Sequence, residues 1–324
     1  MKNVLIFASE VGSTKFIYNS IIEQNIFRFT FILSNNQNAN IYNDPRFINF
    51  KDFDLSSVKD FDLGIISFNA SKEDLILGDL FIKNNIKFGR YIDSWMHIER
   101  KCKHYKQRVR MIGSFLLIPN LELIKFIQIP LSQNFKIYEV GHSDLESVEK
   151  NKLSNYSRSG VAIYSQPISR YYGDTILNEY DLINQTIVSL NKNKLNLGPI
   201  DIILHPSEHE NKFNKFIINN PNVYVSYNNK FNKKKVLPKL VTLLFTTHLF
   251  YTYIHKTPTI SLYNGNEESN KEFLKNYSIF SNSLEIFDNN IKNYSEIFKN
   301  QKLKKISFIG SKKKFEDIAI KLLN

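Results

Sequence analysis

The chain has 324 residues, 42% of them hydrophobic and 23% charged, a composition that excludes a disordered chain and supplies core for about two globular domains. No apolar run reaches the roughly 20 residues that span a bilayer, and the single cysteine, Cys102, excludes an internal disulfide or a cysteine-based zinc cluster. The net charge of +12 is mostly a lysine surplus beside abundant Asn and Ile, as AT-rich coding produces. With no recognition motif, nucleic acid is not an expected partner, whereas an anionic membrane surface or a phosphorylated acceptor stays open.

The start, MKNVLIFASEVGSTKF, turns polar after a short apolar run. It lacks a leader's longer apolar region and cleavage site, so it reads as a first strand, and the expected compartment is the cytoplasm. NVLIFA is a strand and Ser13 to Glu23 a helix, then RFTFILS and LGIISF are strands. Ser71 is expected to cap SKEDLILGDLFIKNN, with Asp74 three residues on. KFGRYID is the next strand, and HIERKCKHYKQRVR a basic helical segment, either solvated or a membrane face. Less regular structure leads to the strand FKIYEVG. The polar, aperiodic stretch Glu146 to Gly160 reads as a linker.

The alternation then begins again. VAIYSQP is a strand, Glu179 to Asn191 a helix, IDIIL a strand and Glu210 to Asn219 a helix. VYVSY, TLLFTT and TPTISLY follow as strands, with helical HLFYTYIH between the last two, and KISFIG and the amphipathic KKFEDIAIKLLN close the chain. Strands alternating with helices predict parallel sheets covered on both faces. The fold class is α/β, with one domain over 1–150 and a second over 151–324.

In open parallel sheets ligands bind beyond the carboxyl ends of strands, where the strand order reverses. Five polar strand ends are therefore candidates. After the first strand, Gly12 permits a tight turn, and Ser13 and Thr14 can cap a helix whose N-terminus attracts an anion or sugar oxygens. Asp93 in YIDSW, beside the only tryptophan, Trp95, can act as general base toward an acceptor hydroxyl, or Asp93 or Ser94 can simply cap the next helix. In LHPSE, His205 can donate to a phosphate oxygen or act as an acid, and Pro206 forces the chain to turn. In TLLFTTH, Thr246 and Thr247 offer two hydroxyls before a helix, unless Thr247 is only a cap. In YSQPISRYYGD, Ser165 and Gln166 lie at the first strand end of the second domain, with Arg170 nearby. The histidines show no metal-ligand spacing, so no metal is expected.

Together these motifs resemble the GT-B glycosyltransferase superfamily, and more narrowly bacterial surface-polysaccharide proteins. The resemblance rests on IDSW at 92–95, VGHSDLE at 140–146, YSQPIS at 164–169 and LHPSE at 204–208, in an order that runs across most of the chain. It implies two Rossmann-like domains facing a central cleft, an acceptor-side domain over 1–150 and a nucleotide-sugar domain over 151–324. The His-Pro pair and the downstream hydroxyl pair are also similar to GT-B sialyltransferases. That likeness implies a CMP-linked acidic sugar as donor, its phosphate held by His205, Pro206, Thr246 and Thr247, with no metal. Asp93 is then the base candidate. Gly12, Ser13, Ser165, Gln166 and Glu208 line donor or acceptor, and the acceptor is a glycan or lipid-linked glycan of the cell surface.

One departure stands out. UDP-sugar GT-B enzymes and the related UDP-sugar 2-epimerases place a ribose-binding Glu on the helix after the hydroxyl pair, and a Gly at that helix's end. Here Tyr251 and Lys256 occupy those positions. The expected activity is metal-independent transfer of a CMP-activated sugar. The alternatives are a UDP-sugar transferase or 2-epimerase, and a non-catalytic binding protein of glycan assembly.

Overall fold

The structure is a computed structural model, described for residues 1–22, 25–35, 44–95, 97–129, 135–152, 157–173, 175–205, 207–227 and 236–324, with the backbone alone at Tyr171. Among these, seven strands make the sheet of the first unit: β1 (Lys2–Ala8), β2 (Phe27–Leu33), β3 (Phe47–Asn49), β4 (Leu63–Ser67), β5 (Lys87–Tyr91), β6 (Phe115–Ile118) and β7 (Lys136–Glu139). They run parallel in the order β3-β2-β1-β4-β5-β6-β7. The chain winds outward from β1 to β3, then crosses back to β4 and winds the other way, so the order reverses between β1 and β4. Its helices are α1 (Val11–Ile21), α2 (Lys72–Lys83), α3 (Ile98–Tyr105) and α4 (Ser143–Lys150). Strands of such a sheet are buried on both faces and read as continuous apolar runs. β1 illustrates this, with Val4 to Ala8 all buried between two apolar clusters.

The α2 start is as expected. Ser71 Oγ accepts the Asp74 N–H at 3.2 Å, and the Asp74 carboxylate accepts the Ser71 N–H at 2.8 Å, a reciprocal capping box. Asp74 is also fully buried, 3.4 Å from Arg90 on β5. The Arg90 guanidinium donates to the Met111 and Ser67 carbonyls at 2.7 and 3.0 Å. β5, whose end carries Asp93, is thereby tied to the segments around it.

The stretch read as a linker is in part a helix. α4 covers Glu146 to Lys150, and its polarity has a local cause. Glu146 accepts the N–H groups of Gly310 and Lys312 at 3.0 and 2.8 Å, and Glu149 accepts that of Phe308 at 2.6 Å. These carboxylates satisfy the open N-terminus of the last helix, Ser311–Leu323. That helix places Phe315, Ile318, Ala319 and Leu322 in the same core as Val4, Ile6 and Phe16. The first unit is therefore Met1–Lys150 with Ser307–Asn324, and the second is Asn151–Ile306. The domain drawn from sequence as 151–324 loses its last segment, because the periodicity of KKFEDIAIKLLN specifies a buried face but not which core receives it.

Gly141 shows how that return is locked. It has φ +71°, and a Cβ there would fall 2.2 Å from Ser311 Oγ, the atom that accepts the His142 N–H at 2.9 Å. Gly141→Ala is expected to destabilise this unit by about 2 kcal/mol or more, combining left-handed strain with the clash. A urea titration that leaves the midpoint unchanged would contradict this.

The second unit holds a six-stranded parallel sheet: β9 (Val161–Tyr164), β10 (Ile200–Ile203), β11 (Val223–Ser226), β13 (Leu240–Leu243), β14 (Thr259–Leu262) and β15 (Ile279–Ser281). A separate pair joins β8 (Ser157–Arg158) to β12 (Val236–Leu237). The order is β11-β10-β9-β13-β14-β15, so here the reversal lies between β9 and β13. Its helices are α5 (Ile168–Tyr172), α6 (Glu179–Lys192), α7 (Asn214–Ile218), α8 (His248–Ile254), α9 (Glu268–Tyr277), α10 (Leu284–Lys292) and α11 (Tyr294–Asn300), and the returning helix Ser311–Leu323 is α12. Both units are thus doubly wound, Rossmann-like sheets.

Candidate functional site

In the second unit, the ends of three adjacent strands carry the candidates. Ile203, Tyr164 and Leu243 share one level of the sheet. His205 follows β10, Ser165 and Gln166 follow β9, and Thr246 and Thr247 follow β13. The strands bearing His205 and the threonine pair are not neighbours; β9 lies between. The carboxyl edge at the reversal point is therefore lined by Gln166 as well as by Thr246 and Thr247, the position where doubly wound sheets hold ligands. Pro206 lies outside the described residues.

The ring of His205 is oriented by its own loop. Nδ1 accepts the Ser207 N–H at 3.2 Å and lies 2.8 Å from Ser207 Oγ. A ring nitrogen that accepts from a backbone N–H carries no proton, so in the neutral ring the proton sits on Nε2. Desolvation by the surrounding protein holds the His205 pKa below the usual histidine range, only partly offset by Glu208, while Lys212 lowers it further. At neutral pH the residue is a neutral donor through Nε2–H.

Behind His205 lies a buried charge cluster. One Glu208 oxygen accepts the His205 N–H at 2.8 Å; the other accepts the Ser165 hydroxyl at 2.9 Å and the Lys212 ammonium at 2.6 Å. Lys212 also binds Glu179, which takes the Ser169 N–H at 3.0 Å and the Ser169 hydroxyl. Burial pushes Glu179 up, but Lys212 and Ser169 together hold it below the ordinary range. Burial likewise lowers Lys212, and its two carboxylates more than reverse this. Ser165 and Glu208, expected to line a ligand, are engaged with each other. Glu208 also holds the His205 backbone N–H. Lys212 and Glu179 were not singled out from sequence, although Glu208 and Lys212 stand four apart, a spacing that pairs opposite charges.

The donors left for a ligand are the Gln166 amide, whose oxygen accepts the Phe245 N–H at 3.0 Å, and the threonine hydroxyls. Thr246 Oγ1 accepts the His248 N–H at 3.3 Å, and Thr247 precedes α8 without a side-chain capping bond. Arg170 is exposed on α5. Tyr251 stacks on His248, ring centres 5.3 Å apart, and His248 lies 4.6 Å from the Tyr164 ring, so the position already read as Tyr251 belongs to an aromatic group.

In the first unit, the residue before α3 is His97, in left-handed conformation, and not Asp93 or Ser94. Asp93 instead accepts the Ser13 hydroxyl at 2.8 Å on one oxygen and the Lys101 ammonium at 3.1 Å on the other. Burial pushes its pKa up, but Lys101 and Ser13 overcome this and hold it below the ordinary range. It is ionised at neutral pH, as a base must be. Lys101 was hidden in the basic segment. Gly12 is not a turn residue: it lies inside α1, and a Cβ there would sit at an ordinary 3.6 Å from the Asp93 carboxylate. At the β1–β4 reversal, the Ser9 and Ser67 hydroxyls lie 3.0 Å apart, and Asn69 donates to Ser9. Among the described residues no group of three or more His, Cys, Asp or Glu is arranged to hold a metal, and no helix is long and apolar enough to cross a membrane.

No protein-family model and no curated protein matches this sequence. The structure is similar to solved ones over their whole length. A UDP-GlcNAc 2-epimerase of Neisseria meningitidis bound to UDP-GlcNAc aligns with TM-score 0.68 at 10% identity, covering 99% of this chain and 100% of that one. The UDP-GlcNAc 2-epimerase of Methanocaldococcus jannaschii, in complex with UDP-GlcNAc and UDP, aligns with TM-score 0.66 at 15% identity, covering 100% of both. The lipopolysaccharide outer core galactosyltransferase WaaB aligns with TM-score 0.56 at 11% identity, covering 99% of each. Two doubly wound units and these likenesses establish a GT-B-type fold of two Rossmann-like domains.

Proposed function

We propose that the protein is an enzyme acting on a UDP-linked sugar, with 2-epimerisation of a UDP-N-acetylhexosamine as its reaction. The observation that carries this reading is the donor row of His205, Gln166, Thr246 and Thr247 on three adjacent strand ends at a reversal point, in the fold of enzymes solved with UDP and UDP-GlcNAc. Loss of the C2 proton and cleavage of the C1–O bond release UDP and leave a 1,2-unsaturated sugar, and re-addition of UDP to C1 with a proton delivered to the other face of C2 gives the epimer; as the bond breaks, negative charge builds on phosphate oxygens. Pre-oriented neutral donors in that position stabilise it. Asp93, ionised beside Lys101, is assigned to proton removal in the first unit.

UDP at about 100 times its dissociation constant is expected to stabilise the fold by roughly 2.7 kcal/mol. His205→Ala should weaken UDP binding about 10- to 100-fold, the worth of one hydrogen bond to a charged group. Incubation with UDP-GlcNAc in deuterated water, followed by proton NMR, tests the reaction: epimerisation replaces the sugar's H2 signal with deuterium. No thermal shift with UDP would overturn the donor assignment, and a shift without H2 exchange would overturn the reaction.

A second reading, metal-independent transfer of a CMP-activated acidic sugar to a surface glycan, is favoured by one observation. Tyr251 offers no carboxylate to a ribose, and its ring is stacked on His248. Stabilisation by CMP and not by UDP would select it.

A further inference from the structure

The segment around α3 has an unusual surface, entirely within the first unit. α3 buries Ile98, Cys102 and Tyr105 and turns outward Arg100, Lys103 and His104. Lys106, Arg108 and Arg110 continue the exposed cations past its end. Residues 97–112 contain six Lys or Arg and a single acid, Glu99. Lys101 is engaged by Asp93, but Lys103, Lys106, Arg108 and Arg110 make no ion pair among the described residues.

Beside α3 packs the short 3-10 turn Leu121–Phe126, tethered by the Cys102 thiol 3.9 Å from the Phe126 carbonyl. It buries Leu123 and leaves Leu121 49% and Ile124 40% exposed. Lys103, Lys106, Arg108 and Arg110, with the exposed Leu121 and Ile124 of the packed turn, which also carries one acid, Glu122, match two layers of one ligand, the anionic headgroups of a lipid bilayer and the acyl boundary beneath them. A soluble polyanion would satisfy the cations but would give Leu121 and Ile124 nothing.

We propose that α3, its basic continuation to Arg110 and the Leu121–Phe126 turn form a docking surface for an anionic membrane. This does not depend on which nucleotide sugar the protein uses. The surface attaches the chain peripherally, with the cations at headgroup level and Leu121 and Ile124 inserted.

The test is co-sedimentation of the full chain with vesicles of phosphatidylcholine, with and without phosphatidylglycerol. Binding is expected only to the anionic vesicles, and should fall as salt rises. Lys103→Glu/Lys106→Glu/Arg108→Glu should weaken it on the order of 100-fold. Lys292→Glu/Lys299→Glu/Lys302→Glu, exposed lysines of the second unit, makes the same change in net charge and should retain most of the affinity. Leu121→Ser/Ile124→Ser should also weaken vesicle binding while leaving heparin binding unaltered. Absent binding by the parent chain, equal losses in the two charge variants, or an apolar variant that binds vesicles like the parent would each overturn the proposal; the last outcome would assign the cations to a soluble polyanion.

Discussion

Replacing Lys212 with Met is expected to destabilise the second unit by about 3–5 kcal/mol, the loss seen when one partner of a buried ionic cluster is removed. Lys212 sits between Glu208 and Glu179, whose side chains are 1% and 0% exposed. Without the ammonium, two buried carboxylates face each other unscreened. They must take up protons or draw in water, and either response disturbs the bonds that Glu208 makes to the His205 N–H and the Ser165 hydroxyl. Lys212→Met should therefore lower the urea midpoint with little change in slope, and weaken nucleotide binding through the misplaced turn of His205. Making both carboxylates neutral in the same chain, Glu179→Gln with Glu208→Gln, should restore much of the stability, because the penalty belongs to uncompensated charge. A single variant that unfolds at the parent's urea concentration would show the cluster to be incidental.

The second large effect concerns pH. His142 is buried in the first unit, stacked on Trp95 at 5.9 Å and meeting the edge of Phe16 at 5.0 Å. Its Nδ1 accepts the Leu145 N–H at 3.4 Å. Burial lowers its pKa to about 4, against the opposing pull of Asp144 and Asp93. In the unfolded chain the same ring titrates near 6.5. Between those values the unfolded state binds a proton that the folded state refuses, so stability falls as pH drops through 6.5 toward 4. From pH 7 to pH 5 the loss from this residue is about 2 kcal/mol. His142→Phe keeps the ring stack without the proton, and should flatten that part of the profile by the same amount. Trp95 is the only tryptophan and touches His142, so its fluorescence reports unfolding of this unit alone. Parallel profiles for the parent and the variant would refute the assignment.

Much of the architecture was legible from local pattern. Apolar runs such as Val4 to Ala8 and Val161 to Tyr164 are strands because both faces of a parallel sheet are covered. Ser71 with Asp74 announced a helix start because the capping box is complete within four residues. β6 and β3 were not seen: Phe115–Ile118 is four apolar residues with no alternation, and Phe47–Asn49 is three residues long. Such runs lack a period. α4 was missed for the opposite reason, since Glu146 and Glu149 make its sequence polar while serving the backbone of a segment some 160 residues away.

The strand ends themselves, and the chemistry of His205, Asp93, Ser13, Gln166, Thr246 and Thr247, were readable from residue type and from the abrupt stop of each apolar run. Strand order was not, because it depends on which edge of the sheet each crossover packs against. Only the tertiary structure put β9 between β10 and β13, bonded Ser165 to Glu208 behind His205, brought Lys101 to Asp93 and Lys212 to two carboxylates, and returned the last helix to the first core. The sequence by itself determined which side chains stand at the ends of strands, since that follows from local periodicity and turn chemistry. Which of them meet was decided by contacts between residues far apart in the chain, where the energy of burying charge and apolar surface depends on neighbours that no local pattern names.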